Sequence, residues 1–127
     1  MQLAHKESVL YRMTGGVHSA ALCDSKGILL FREDVGRHNA VDKIIGDCLL
    51  HDIALGDKIL LTSRRVSSAV MVKIINAHIP VVVSSSAPTS ESVKLSKKFG
   101  ITLAGFARGK RINVYTNAWR ITDIQNG

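Results

Sequence analysis

Between Lys58 and Phe106 the chain alternates between short runs that are apolar throughout and segments whose apolar residues recur every three or four positions. Lys58–Thr62, Val81–Val83 and Ile101–Phe106 read as strands. Ser67–His78, with Val70, Met71, Ile74 and Ile75 on one side, reads as a helix, as does the stretch from Pro88 to Phe99, which Gly100 terminates. A strand with no polar alternation is buried on both faces, and short strands separated by amphipathic helices close into a largely parallel sheet. A three-layer α/β/α sandwich follows, with a mixed sheet in the middle and helices on both faces.

The flanking segments extend the pattern. Ser19–Cys23 and Ile28–Phe31 read as strands joined by the turn Asp24-Ser25-Lys26-Gly27. From Arg37 to His51, Val41, Ile44, Ile45, Cys48 and Leu49 fall at helical spacing, opposite Asp42, Lys43 and Asp47. Asp34 and Gly36 stand just before it, where a cap and a close backbone approach are expected. Ile112–Thr116 closes the order as ββαβαβαββ. One domain is expected over 14–122, with 1–13 a flexible N-terminal segment and 123–127 a C-terminal tail.

A chain of 127 residues, 46% of them hydrophobic, is long enough to bury a core without covalent staples. The two cysteines, Cys23 and Cys48, form no CxxC or Cys/His cluster, which excludes a disulfide scaffold and a structural zinc site. No apolar run approaches the ~20 residues of a membrane span. Met1–Met13 has no apolar signal core, so a reducing cytoplasm is the expected compartment.

The net charge of +7 is uneven. Six basic and seven acidic residues lie in Met1–Ile53, whereas Ala54–Thr122 holds eleven basic residues against Asp57 and Glu91. Such asymmetry points to an anionic ligand or an acidic partner. Three Phe, two Tyr and one Trp are few for base stacking, which weighs against a nucleic-acid binder.

Ligands of open α/β sheets sit beyond the carboxyl ends of the strands, and the polar loops of this chain fall there. The first runs from Glu33 through Gly36, Arg37, His38 and Asn39; the second from Ser63 through Arg64, Arg65 and Ser67; the third from Ser84 and Ser85 to Thr89. Guanidinium forks and hydroxyls suit a phosphate or pyrophosphate, while for any one loop taken singly helix capping is the favoured account of its serines. Phe106, Ala107, Arg108, Gly109, Lys110 and Arg111 make a fourth candidate, with three cations about a glycine. His18, after Thr14-Gly15-Gly16-Val17, and His38 are candidate hydrogen-bonding or acid/base groups. Both cysteines fall in apolar context, no GxSxG or GxxxxGK[ST] element occurs, and no catalytic residue is assigned.

Thr14–Ala21, Glu33–Lys43, Ser84–Thr89 and Gly105–Thr116 together resemble the FdhD (FdhD/NarQ) family of formate dehydrogenase accessory proteins. The resemblance implies a cytidine deaminase-like fold and a role in formate dehydrogenase maturation. There, a persulfide loaded by a cysteine desulfurase passes sulfur to a bis(molybdopterin guanine dinucleotide) cofactor of molybdenum or tungsten. It also implies that Phe106–Arg111 contacts that cofactor, that GDP serves as its surrogate, and that the protein is a homodimer. Two departures stand out. The family's sulfur-carrying CxxC loop precedes the Thr-Gly-Gly segment and is absent from this sequence, so cofactor binding rather than sulfur transfer is expected. Arg64 stands where the family usually has glycine and Ala69 where it has glutamate, so Arg64 is expected to crowd the backbone and Ala69 to remove a polar contact. A zinc deaminase is excluded, because His18-Ser19-Ala20 lacks the glutamate of H-x-E and no P-C-x-x-C follows. The alternative reading is a non-catalytic scaffold docking formate dehydrogenase or a desulfurase.

Overall fold

The structure, a computed structural model, describes residues 18–34, 39–106 and 112–120. Its strands are β1 (Ser19–Cys23), β2 (Ile28–Glu33), β3 (Ile59–Thr62), β4 (Val81–Ser84), β5 (Thr102–Phe106) and β6 (Ile112–Thr116). Its helices are α1 (Ala40–Leu50), α2 (Ser68–Asn76) and α3 (Ser90–Lys98), followed by a 3-10 turn at Ala118–Arg120. The order is the one anticipated. The boundaries shift by one to three residues, each for a local reason. Helix α1 begins at Ala40 because Asn39 caps it, accepting the Val41 N–H at 2.8 Å. Ser67 caps α2 and Thr89 caps α3 in the same way, so Pro88 lies outside the helix it was expected to open. Gly100, at φ 74, ends α3 as expected.

Six strands form one sheet in the order β2-β1-β3-β4-β5-β6. β3, β4 and β5 are mutually parallel, while β1 and β6 run antiparallel to their neighbours. Each helical crossover therefore carries the chain in the same direction across the sheet. Because such crossovers are right-handed, all three helices fall on one face.

Side chains sort accordingly. On the helix face, paired rows bring together Leu22, Leu60, Val82 and Leu103, all fully buried, under Val41, Ile44 and Cys48 of α1 and Val70, Met71 and Ile74 of α2. On the other face Ala21, Leu61, Val83 and Ala104 form the matching row and are equally buried. Both faces of the sheet are thus buried, and the three described helices all lie on one of them, where the sequence pattern led to an expectation of helices on both. Each fully buried Leu, Ile or Val contributes roughly 1.5–3 kcal/mol.

Helix α3 packs through small residues instead. Ser92 and Ser96 are fully buried, and their hydroxyls return to the carbonyls of Thr89 and Val93 at 2.8 Å, which allows close approach to β5 and β6. Cys23 and Cys48 are buried on opposite faces. No described helix is long and apolar enough to cross a membrane.

Candidate functional site

The strand directions place the carboxyl ends of β2, β3, β4 and β5 at one edge of the sheet, together with His18 at the start of β1. The last helix-face row there is Ala20, Thr62, Ser84 and Gly105, where bulky residues give way to small ones. A Cβ on Gly105 would lie 3.3 Å from the carbonyl oxygens of Ser84 and Ser86, so only glycine lets β5 approach this loop without a shift. The amino ends of α1, α2 and α3 open at the same edge, and helix amino ends favour anions.

Ser63 is the hub. Its hydroxyl accepts the Ser19 N–H at 2.9 Å, in the place where the ladder between β1 and β3 would ordinarily use a carbonyl. The freed Ser63 carbonyl accepts the hydroxyls of Ser85 at 3.3 Å and Ser86 at 3.5 Å. Ser84 donates to the Arg64 carbonyl at 2.7 Å. The loops after β3 and β4 are therefore stitched together, and the exposed His18 ring stands against Ser63, Nδ1 to Oγ 3.5 Å.

Asp34 binds the first loop to the second. Its Oδ1 accepts the Ala40 N–H at 2.6 Å, and its Oδ2 accepts the Arg64 Nε–H at 2.6 Å and pairs with a terminal nitrogen of the same guanidinium. Its own N–H donates to the His18 carbonyl at 2.8 Å. Arg65, next along the chain, is exposed and has no ion-pair partner among the described residues. Of the three helices, α2 alone has no acidic residue in its first turn; α1 has Asp42 and α3 has Glu91. The positive end of the α2 dipole thus faces the loop bearing Arg65 without a carboxylate of its own.

Of the residues singled out in the sequence, the fold brings His18, Asn39, Arg65, Ser67, Ser85 and Thr89 to this edge. Asn39, Ser67 and Thr89 are helix caps, so much of their hydrogen-bonding capacity is turned inward. Gly36, Arg37 and His38 lie outside the described residues, as do Ala107, Arg108, Gly109, Lys110 and Arg111. Phe106 ends β5 through its backbone. The expectation that Arg64 crowds a glycine position is not met. Among the described residues positive φ outside glycine occurs only at Asp52, His78 and Asn117, and the Arg64 side chain turns to Asp34. Ala69 is exposed in the first turn of α2, so a side chain there would reach solvent at the same edge.

Sequence reasoning reached Asp34 only as a cap and missed Ser63, Ser84, Ser86 and Gly105 as organisers of the site. Their pairings cross strands about twenty to forty residues apart, and no local pattern reports that. Burial pushes the Cys48 thiol up from its ordinary range, with Asp47 adding to the effect. That suits an inert core thiol.

Three comparisons bear on this arrangement. The model of the FdhD/NarQ family matches residues 1–122. The sulfur carrier protein FdhD of Bacillus pumilus is 47% identical over 123 residues, covering 97% of this chain and 47% of that protein. That of Geobacillus kaustophilus is 44% identical over 121 residues, 95% of this chain and 46% of its own length. The chain spans about half the length of the curated relatives it matches. Among solved structures, a formate dehydrogenase accessory protein from Desulfotalea psychrophila superimposes with TM-score 0.79 at 30% identity, over 93% of this chain and 55% of that one. The dCMP deaminase of cyanophage S-TIM5 aligns with TM-score 0.64 at 10% identity over 81% of this chain and 98% of its own, a likeness of fold alone. The cytidine deaminase-like architecture is thereby established.

Proposed function

Since this chain belongs to the FdhD/NarQ family, we propose that it serves the maturation of formate dehydrogenase by binding the bis(molybdopterin guanine dinucleotide) cofactor at the edge of the sheet where its polar loops meet. One observation carries the reading: an exposed arginine, three helix amino ends and a row of small residues share that edge. The cofactor is here the cargo, and its pyrophosphates supply the negative charge. The donor set fits them. Arg65 offers a planar fork suited to phosphate oxygens, and the first N–H groups of α2 point toward the same loop. In this reading Phe106–Arg111 receives the guanine and supplies a second set of cations.

Sulfur transfer in this proposal uses a thiol other than Cys23 or Cys48. Both are buried in the core and belong to no CxxC pair. The role of this chain is then to bind and orient the acceptor while a cysteine desulfurase and a sulfur-carrying segment deliver the persulfide. A homodimer in the cytoplasm belongs to the same proposal.

Thermal denaturation of the intact protein with and without GDP is the test. GDP raises the melting temperature, Arg65→Ala reduces the shift, and Arg108→Ala with Arg111→Ala abolishes it. Absence of any GDP-dependent shift in the wild type overturns the reading. One observation favours a scaffold instead: Ile28, Leu29 and Phe31 on β2 and Leu49 and Leu50 at the end of α1 are exposed. A stoichiometric complex with formate dehydrogenase that forms without cofactor, and in which these residues become protected, would favour it.

A further inference from the structure

The adjacent arginines of the loop after β3 are used differently. Arg64 is held at three points, its guanidinium by Asp34, its carbonyl by the Ser84 hydroxyl and its N–H by the Thr62 hydroxyl at 3.1 Å. Asp34 is held at three: by Ala40 at the start of α1, by the His18 carbonyl, and by Arg64. Asp34 thereby connects the start of β1 through its backbone N–H and the head of α1 through its carboxylate, which also reaches, through Arg64, the loops after β3 and β4. The Asp34 side chain is 13% exposed and that of Arg64 42%. A carboxylate beside an anion site opposes binding through its field, and this one also occupies one of the two guanidinium groups on the loop.

We infer that Asp34 is a positioning residue for the anion crevice: by locking Arg64 it sets the loop so that Arg65 and the amino end of α2 address the same phosphate. The inference rests on the function proposed above. Its value lies in the sign of one substitution. Asp34→Asn removes a negative charge next to the crevice, so field effects alone tighten GDP binding. Asparagine keeps an oxygen for the Ala40 N–H but loses the charge that fastens Arg64, so positioning predicts weaker binding. Arg64→Ala weakens binding on either account. The double variant separates them again: acting through one latch, the two substitutions cost no more together than singly, whereas two independent field effects of opposite sign cancel.

The experiment is calorimetric titration of GDP into the full chain, for wild type, Asp34→Asn, Arg64→Ala and the double variant. Amide exchange at Arg64 and Ser86 is measured in the same proteins without ligand. Asp34→Asn and Arg64→Ala are each expected to weaken GDP about tenfold, the scale of one misplaced charge-assisted contact. The double variant should match the singles, and Asp34→Glu should recover part of the loss. Faster exchange at both amides should accompany each single substitution. Equal or tighter GDP binding by Asp34→Asn overturns the inference. If the wild type itself does not bind GDP, the proposed function fails, and the latch is decided by exchange: acceleration at Arg64 and Ser86 upholds it, unchanged rates refute it. Arg64→Ala alters a partly exposed side chain, so it reads the same exchange effect should Asp34→Asn not fold.

Discussion

Replacing Ser63 by alanine isolates the contact on which the candidate site hangs. Alanine keeps the Cβ, so no cavity opens, and the Ser63 N–H still donates to the Ser19 carbonyl at 3.0 Å. What is lost is the acceptor for the Ser19 N–H, bound at 2.9 Å between residues only 7% and 3% exposed. The Ser63 carbonyl is already taken by Ser85 and Ser86, so it does not step in without breaking those bonds. An orphaned buried N–H costs about 1–3 kcal/mol. For a domain of this size that corresponds to a fall in melting temperature of roughly 4–12 °C. Calorimetry of Ser63→Ala measures it, with the exposed turn variant Ser25→Ala expected to leave the temperature unchanged. Hydrogen exchange at the Ser19 amide should accelerate in the same protein, and Ser63→Thr, which retains the hydroxyl, should restore both. A melting temperature within about 1 °C of wild type, with unaltered exchange at Ser19, would refute the assignment of this hydroxyl to the ladder.

Further outcomes follow from other parts of the fold. Ile44→Ala empties a fully buried position under α1 and should cost about 2–5 kcal/mol in denaturant unfolding. Gly105→Ala sets a methyl 3.3 Å from two carbonyl oxygens, so it should lower the GDP-dependent thermal shift and destabilise the chain by about 1–3 kcal/mol. The raised Cys48 pKa carries a pH signature. Above the ordinary thiol pKa of about 8.5 the unfolded chain releases a proton that the folded chain keeps, so stability declines as pH rises. Urea titrations between pH 7 and 10 should show that decline, and Cys48→Ala should flatten it. Alkylation of Cys48 in the native protein should be slow and should track global unfolding.

The element order was legible because the two periodicities are clean here. The row of Leu22, Leu60, Val82 and Leu103 comes from runs with no polar interruption, and Val41, Ile44 and Cys48 repeat at helical spacing. Boundaries were less so, since a capping side chain moves a helix start by a residue or more. Thr89 takes the role that Pro88 seemed to claim. That the loops after β3 and β4 share one edge was readable, because strand direction alone dictates it. The internal wiring was not. Whether a serine hydroxyl faces a helix N–H, a neighbouring carbonyl or solvent depends on strand register, and Ser63, Ser84, Ser85 and Ser86 are chemically alike in the sequence. The Asp34–Arg64 pair spans thirty residues and has no periodic signature.

The one-way progress of the chain across the sheet also orders its assembly in time. Parallel neighbours β3, β4 and β5 pair residues close to twenty apart, as in Ile59 with Val81 and Val81 with Thr102, whereas Ala20 meets Thr62 across forty-two positions. Closing the longer loop costs more entropy, so the β3-to-β5 unit should consolidate first and the β1–β2 hairpin should dock onto it late. Substitutions such as Val82→Ala should then slow folding, and Leu22→Ala should chiefly speed unfolding. Because Ser19 meets Ser63 across that last seam, the candidate site is assembled only after the hairpin has docked, and a partly folded chain has its loops but not their mutual arrangement.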